Sequence, residues 1–238
     1  MNKREFLKTG LLGFVGFISL PALAGKRTGH RLTPRDFKPS ALPYAYNALE
    51  PFIDKNTLQK HHANLYADYT NNFNTALHEQ GITVSTAREI FENASRYNNA
   101  VVENGGGYFN HKIFWPMLSP KRGSKPSDDL SAAINSSFGS FEAFKDKFSL
   151  AAKALNNSGW TWLIKQNRQL KVTSTLYQNN PFMNTLPAGD RGYPILCIDL
   201  WDHASGPKYK NRKDDYVDAF WNFVNWENVN RRFKKAKS

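Results

Sequence analysis

A chain of 238 residues can bury a substantial core, in one large domain or two small ones. With 17 Phe, 10 Tyr and 6 Trp it is too rich in aromatic residues to be a disordered chain. Lys and Arg outnumber Asp and Glu by 32 to 20, a formal charge of +12. That balance suits nucleic acid, an anionic membrane surface or a small anionic substrate, and charge alone does not choose among them.

Residues 1–24 have the three-part layout of a secretory signal. Lys3, Arg4 and Lys8 make a basic start, 11–20 is apolar, and Ala22-Leu23-Ala24 offers a small-x-small cleavage site before Gly25. The apolar run is short for a membrane span. Lys3-Arg4-Glu5-Phe6-Leu7-Lys8 resembles the twin-arginine export motif, with Lys3 in place of the first Arg. The mature chain is expected to begin near Gly25 and to reside outside the cytoplasm, in a bacterial periplasm. Residues 25–40 are basic, carry Pro34 and Pro39, and read as an extended tail.

Asp54 is a credible N-cap for a helix running to Leu77, with Leu58, Leu65, Tyr69, Phe73 and Leu77 at helical spacing. A shorter helix is expected from Thr86. Residues 98–118 read as a further helix despite Gly105-Gly106-Gly107 inside it. Each glycine costs a helix about 1 kcal/mol, so something close by must need the missing side chains. The first half, 41–122, is thus a helical hairpin.

The second half, 123–238, changes character. Helices are expected at 128–137 and 140–157, separated by Phe138-Gly139. Three β-like runs follow, at 160–165, 169–175 and 193–199, the first two joined by a short hairpin across Gln166-Asn167-Arg168. A last helix is expected at 214–226. The order gives an α+β class: a helical hairpin, then a small three-stranded antiparallel sheet flanked by helices. The single cysteine, Cys197, lies in the apolar run 194–198 and reads as a buried, inert thiol; it has no partner for an intramolecular disulfide.

Six histidines are present, at 30, 61, 62, 78, 111 and 203. His61 and His111 fall on the two long helices of the first half. Asp199 and His203 bracket the end of the last strand. Asp199 closes an apolar run, where an unpaired carboxylate is expensive to bury and a coordinated cation would resolve the cost. Three imidazoles and one carboxylate suit Mn, Fe or Zn alike.

From Leu42 to about Phe233 the chain resembles the iron/manganese superoxide dismutases. The resemblance rests on the stretch from Leu42-Pro43-Tyr44 to Glu50-Pro51, on His61-His62 with Tyr69 and Asn71-Asn72, and on Asn110-His111 with Phe114-Trp115. It continues through Gly159-Trp160-Thr161-Trp162, Asp199-Leu200-Trp201-Asp202-His203-Ala204 and Phe220-Trp221-Asn222, to Val224-Asn225-Trp226. It implies one Mn or Fe ion per chain, held by His61, His111, Asp199 and His203 between the two halves, with superoxide as substrate. Zinc has no redox step to offer and is excluded on that reading.

The resemblance also implies roles around the ion. Family members place a glutamine beside the metal-bound solvent. The iron-type position for it is Gly107 here, which cannot supply it, whereas Gln178 matches the manganese-type position, and Gly107 is expected to leave room for it. Tyr69 matches a tyrosine at the substrate entrance that relays protons. Trp115, Trp160 and Trp201 match an aromatic shell, and Arg212 an arginine at the mouth that guides the anion. In the family a glutamate before the last histidine crosses to a second subunit, and a histidine–tyrosine pair does the same. Here those positions are Asp202, Leu65 and Gly206, and Ser205-Gly206-Pro207 reads as a turn. The family's homodimer is therefore expected to be weakened, rebuilt around Leu65, or absent. Neither a nucleic-acid motif nor a nucleic-acid partner is expected. The other reading kept open is a metal-binding or surface-interaction protein that retains the fold but little turnover.

Overall fold

The structure, a computed structural model, describes residues 36–236. The export signal expected at 1–24, and residues 25–35 of the expected tail, lie outside them. Among the described residues no helix is long and apolar enough to cross a membrane.

Asp54 caps the first helix as its sequence suggests, the Thr57 N–H donating to Asp54 Oδ1 at 3.0 Å. From there α1 (Lys55–Gln59), a π-helical segment (Lys60–Tyr66) and α2 (Ala67–Glu79) run on from one another. The short α3 (Ala87–Phe91) starts at a capping box between Thr86 and Glu89. Then α4 (Asn99–Phe114), capped by Asn98, packs along α2 to make the hairpin, and a 3₁₀ turn (Trp115–Met117) closes it.

The glycines of α4 are explained by what lies against them. A Cβ on Gly105 would come within 2.7 Å of the Phe73 ring. One on Gly106 would overlap the Gln178 carbonyl, and one on Gly107 would overlap the Tyr69 ring. This corrects the expected division of labour: Gly106 makes room for Gln178, and Gly107 makes room for Tyr69.

In the second half α5 (Asp128–Phe138) and α6 (Phe141–Ala154) are separated by Gly139, whose φ of +92° suits glycine. The strands are β1 (Gly159–Gln166), β2 (Gln169–Leu176) and β3 (Tyr193–Asp199), antiparallel in the order β2-β1-β3. Asn167 and Arg168, both at positive φ, form the two-residue turn between β1 and β2. The β1–β3 register shifts at Leu163/Ile164, opposite Pro194, which has no N–H to give the ladder. Cys197 is buried and its thiol is pushed up by that burial, as an inert core residue.

Two expectations fail. Residues 202–209 form a helix, α7 (Asp202–Tyr209), with Gly206 and Pro207 inside it rather than in a turn. Buried Ala204, Ser205 and Tyr209 anchor it, and the Tyr209 hydroxyl donates to the Phe52 carbonyl at 3.0 Å; that packing overrides local preference. The single helix expected at 214–226 is instead α8 (Lys213–Phe220), a 3₁₀ turn (Trp221–Phe223) and a separate α9 (Trp226–Lys235) capped by Asn225. The break lets residues 223–225 hydrogen-bond along 117–119: Ser119 N–H to Phe223 O at 2.7 Å and Asn225 N–H to Met117 O at 2.7 Å. Backbone groups there are satisfied by the other half of the chain rather than by a helix.

Candidate metal centre

Four elements bring four side chains to one point. His61 comes from the π-helical segment, a kind of irregularity that recurs at functional sites. His111 comes from the last turn of α4, Asp199 from the end of β3, and His203 from the start of α7. One ligand atom from each lies within 4.8 Å of every other. His61, His111 and Asp199 are buried, while the His203 side chain is 25 % exposed.

The separations fit a shared cation. His61 Nε2 and His111 Nε2 face each other at 2.9 Å, and Asp199 Oδ2 lies 3.3 Å from His61 Nε2 and 3.4 Å from the Nε2 atoms of His111 and His203. Atoms each about 2.1 Å from one ion are about 3.0 Å apart at a right angle and about 3.6 Å apart at 120°. Among the described residues, Asp199 Oδ2 and His203 Nε2 are buried with no hydrogen-bond partner. A protein does not bury a carboxylate oxygen and three ring nitrogens head to head without a group to satisfy them, and a divalent cation does so.

The protein also prepares the donors. The His111 Nδ1–H donates to the Gly107 carbonyl at 2.6 Å, which leaves Nε2 as the lone-pair nitrogen. The Trp201 N–H donates to Asp199 Oδ1 at 2.9 Å and turns Oδ2 toward the imidazoles. Burial would raise the Asp199 carboxyl, but the charge of His203 and the facing imidazoles hold it well below the usual range. Burial pushes His61 down to about 3, against the pull of Asp199, with His111 and His203 adding to the push. At neutral pH the set offers a carboxylate and a neutral His61 imidazole.

Gln178 is the best-defined neighbour of this cluster. Trp160 Nε1–H and Asn110 Nδ2–H donate to its Oε1 at 3.0 and 3.2 Å, so its amide nitrogen faces the Tyr69 hydroxyl, to which it donates at 3.2 Å. Nε2 has two hydrogens and Tyr69 takes one. Burial pushes the Tyr69 phenol up to about 12, with the Glu103 and Asp199 charges adding, so it stays protonated at neutral pH.

Sequence reasoning missed three contributors here. Asn110, buried, also donates to the Gln178 carbonyl at 3.0 Å. Tyr177 holds φ +53°, strained for a non-glycine, while its N–H donates to Ser158 O at 2.8 Å. Glu103 lies four residues before Gly107, half-buried, its carboxyl raised by burial against a hydrogen bond from the Gln178 backbone. Only the helical spacing of Asn110 and Glu103 to Gly106 and Gly107 could have signalled the first and last.

The remaining expected residues separate. Trp115 and Trp160 are fully buried, their rings edge-on to His61 and His111 at 4.8 and 5.2 Å. Trp201 stacks on His203 at 5.5 Å. Arg212 is exposed at the start of α8 and pairs with Asp215 at 2.9 Å. His62 bonds the Ser40 carbonyl at 2.9 Å and His78 pairs with Asp36 at 2.6 Å, so both fasten the segment 36–40 to α2 and the turns before it. His30 lies outside the described residues.

Residues 36–119 match the alpha-hairpin domain of iron/manganese superoxide dismutases, and residues 126–232 match their C-terminal domain. The chain is 42% identical to a superoxide dismutase [Mn] of Acinetobacter baylyi over 204 residues, 84% of this chain and 89% of that protein. It is 40% identical to a superoxide dismutase [Mn] of Buchnera aphidicola over 199 residues, 82% of this chain and 97% of that protein. A superoxide dismutase [Mn] of Listeria monocytogenes is 39% identical over 202 residues, 82% of this chain and 96% of its own.

Proposed function

The chain belongs to the iron/manganese superoxide dismutases, and from that membership we propose that it disproportionates superoxide at His61, His111, Asp199 and His203 loaded with one manganese ion. The observation that carries this is the convergence of those four ligand atoms, two of them buried and without a hydrogen-bond partner. What the bound ion supplies is one-electron exchange: one superoxide gives up an electron and leaves as oxygen, and a second takes it up and, with two protons, leaves as hydrogen peroxide.

The chain's own residues hold and move the protons. Tyr69, kept protonated by burial, is in reach of Gln178 and serves as the proton donor on the entrance side. Gln178, its Oε1 held by Trp160 and Asn110, positions that phenol and keeps an N–H for the site. Trp115 and Trp160 exclude water, and Trp201 covers His203. Arg212, exposed, adds to the positive field that draws in the anion. Manganese is favoured over iron by the names of the relatives and by Gln178 lying after β2.

The test is reconstitution of metal-free protein with manganese and with iron separately, followed by metal analysis and a superoxide-consumption assay. The manganese form should be the active one. Full manganese occupancy with no turnover would favour the second reading, a metal-binding protein that retains the fold. The departures at Leu65, Asp202 and Gly206 are what keep that reading in play.

Two further readings go with this function. The chain is exported to the periplasm by residues 1–24; purified native protein should begin near Gly25, and a start at Met1 would contradict it. The family's pairing surface is weakened, rebuilt around Leu65, or absent, because Asp202 is exposed and one methylene short, while Leu65 and Gly206 cannot form the histidine–tyrosine pair. In one protomer a cavity of about 620 Å³ opens there, lined by His61, Leu65, His203 and Pro207 among others.

A further inference from the structure

The other end of the sheet carries a second cavity, of about 420 Å³, lined by Arg88, Lys165, Arg191, Lys235, Phe182 and Tyr193 with Pro181 and Gly192. Asp199 and Tyr193 lie at opposite ends of β3, so about 20 Å of strand separates this cleft from the metal centre. Four cationic residues converge on it from α3, β1, the turn before β3 and the end of α9. Among the described residues, Lys165, Arg191 and Lys235 pair with no carboxylate; the one acidic group engaged is Glu92, with Arg88 at 2.6 Å. Lys165 Nζ donates to the Ala236 carbonyl at 2.9 Å, and Arg232 behind it donates to the Pro194 carbonyl at 3.0 and 2.7 Å and lies over the Tyr193 ring. Lys165 and Arg232 are therefore held in place rather than trailing in solvent.

With Arg88 already paired to Glu92, the three remaining cations repel one another, and an anion of high charge would relieve that. Two aromatic rings form the apolar part, Phe182 and Tyr193 meeting edge-to-face at 5.6 Å, with the Arg88 guanidinium 4.4 Å over Phe182. Guanidinium and ammonium groups together suit phosphate oxygens, bidentate at the arginines and as point charges at the lysines. The volume is that of a small-molecule site and too small for a folded partner.

We propose that this cleft binds a small anion carrying two or more linked phosphates, gripped by Arg191, Lys165 and Lys235, with the two rings beside it. The ligand's source is an inorganic oligophosphate or a nucleoside diphosphate, which share that chemistry.

Calorimetric titration of the metal-loaded full chain at 0.15 M salt tests it, with tripolyphosphate, ADP and adenosine as probes. Tripolyphosphate or ADP should bind one per chain, and adenosine should not bind. Equal affinity for the two phosphates assigns the inorganic source, and tighter ADP assigns the nucleotide. The variant R191Q/K235Q should weaken binding at least tenfold, and so should K235E, at an exposed position where folding is not at risk. The control K145Q/K147Q, which removes the same charge from α6, should leave it unchanged. Absence of binding by both phosphates, or equal weakening by the control, would overturn the proposal.

Discussion

The four ligand atoms act as a unit, so single substitutions there should fail together. His111→Ala or Asp199→Ala each removes a quarter of the protein's ligand set and should abolish manganese retention and activity at once. Metal analysis of the purified variants checks this, and full occupancy in either would show that the ligand assignment is wrong. Acid should act on the same residues in metal-free protein. His61 titrates at about 3 in the folded chain against about 6.5 unfolded, and Asp199 lies well below its usual range. For both groups the unfolded chain takes up protons first as pH falls. Their contribution is fully present above about pH 6.5, and is lost below it, first through His61 and then through Asp199 below about pH 4. The loss should reach the order of a few kcal/mol by pH 4. Calorimetry of metal-free protein should show the Tm falling from about pH 6.5 downward, and His61→Gln should remove the upper part of that fall. A flat Tm from pH 7 to 4 would sink the argument.

At the scale of the element, α4 is weakened on purpose. Ala is the better helix former by about 1 kcal/mol, yet a Cβ at Gly106 meets the backbone of residue 178, which cannot rotate away. Overpacking of that kind costs about 1–3 kcal/mol, so the clash outweighs the gain. Gly106→Ala should lower Tm and turnover together by displacing Gln178. Gly107→Ala meets a ring instead and should cut turnover more than stability, because it moves Tyr69. Comparison of Tm with turnover in the manganese-loaded variants separates the two; equal effects on both would remove the distinction between these glycines.

At the scale of the whole molecule, the question is whether two protomers still pair through the face that holds His203. On the proposed reading, Asp202, Leu65 and Gly206 take the places of the residues that make two family contacts, while α7 keeps its helical course. Sedimentation or light scattering at low micromolar concentration should therefore give a mass below that of a tight dimer, rising with concentration. A tight dimer with Asp202 bridging to a second copy's His203 would prove this wrong. The basic surface belongs to the same scale: it acts on the approach of an anion, and its effect should fade as salt shortens the range of the field.

Much was settled by local chemistry. Asp54 and the apolar spacing after it set the first helix, Asn167-Arg168 set the hairpin, and Asp199 at the end of an apolar run demanded a compensating charge. These are properties of short stretches, so they are written in short stretches. The sequence also announced that something lay against Gly105-Gly106-Gly107, but not which neighbour belonged to which glycine. That pairing joins residues about 30 to 70 positions apart and exists only once α2, α4 and the loop after β2 have packed. The same holds for the helix across Gly206-Pro207 and for the break before α9. There, burial of Tyr209 and backbone bonds from 223–225 to 117–119 outweigh local preference, because tertiary contacts are worth more than a residue's propensity.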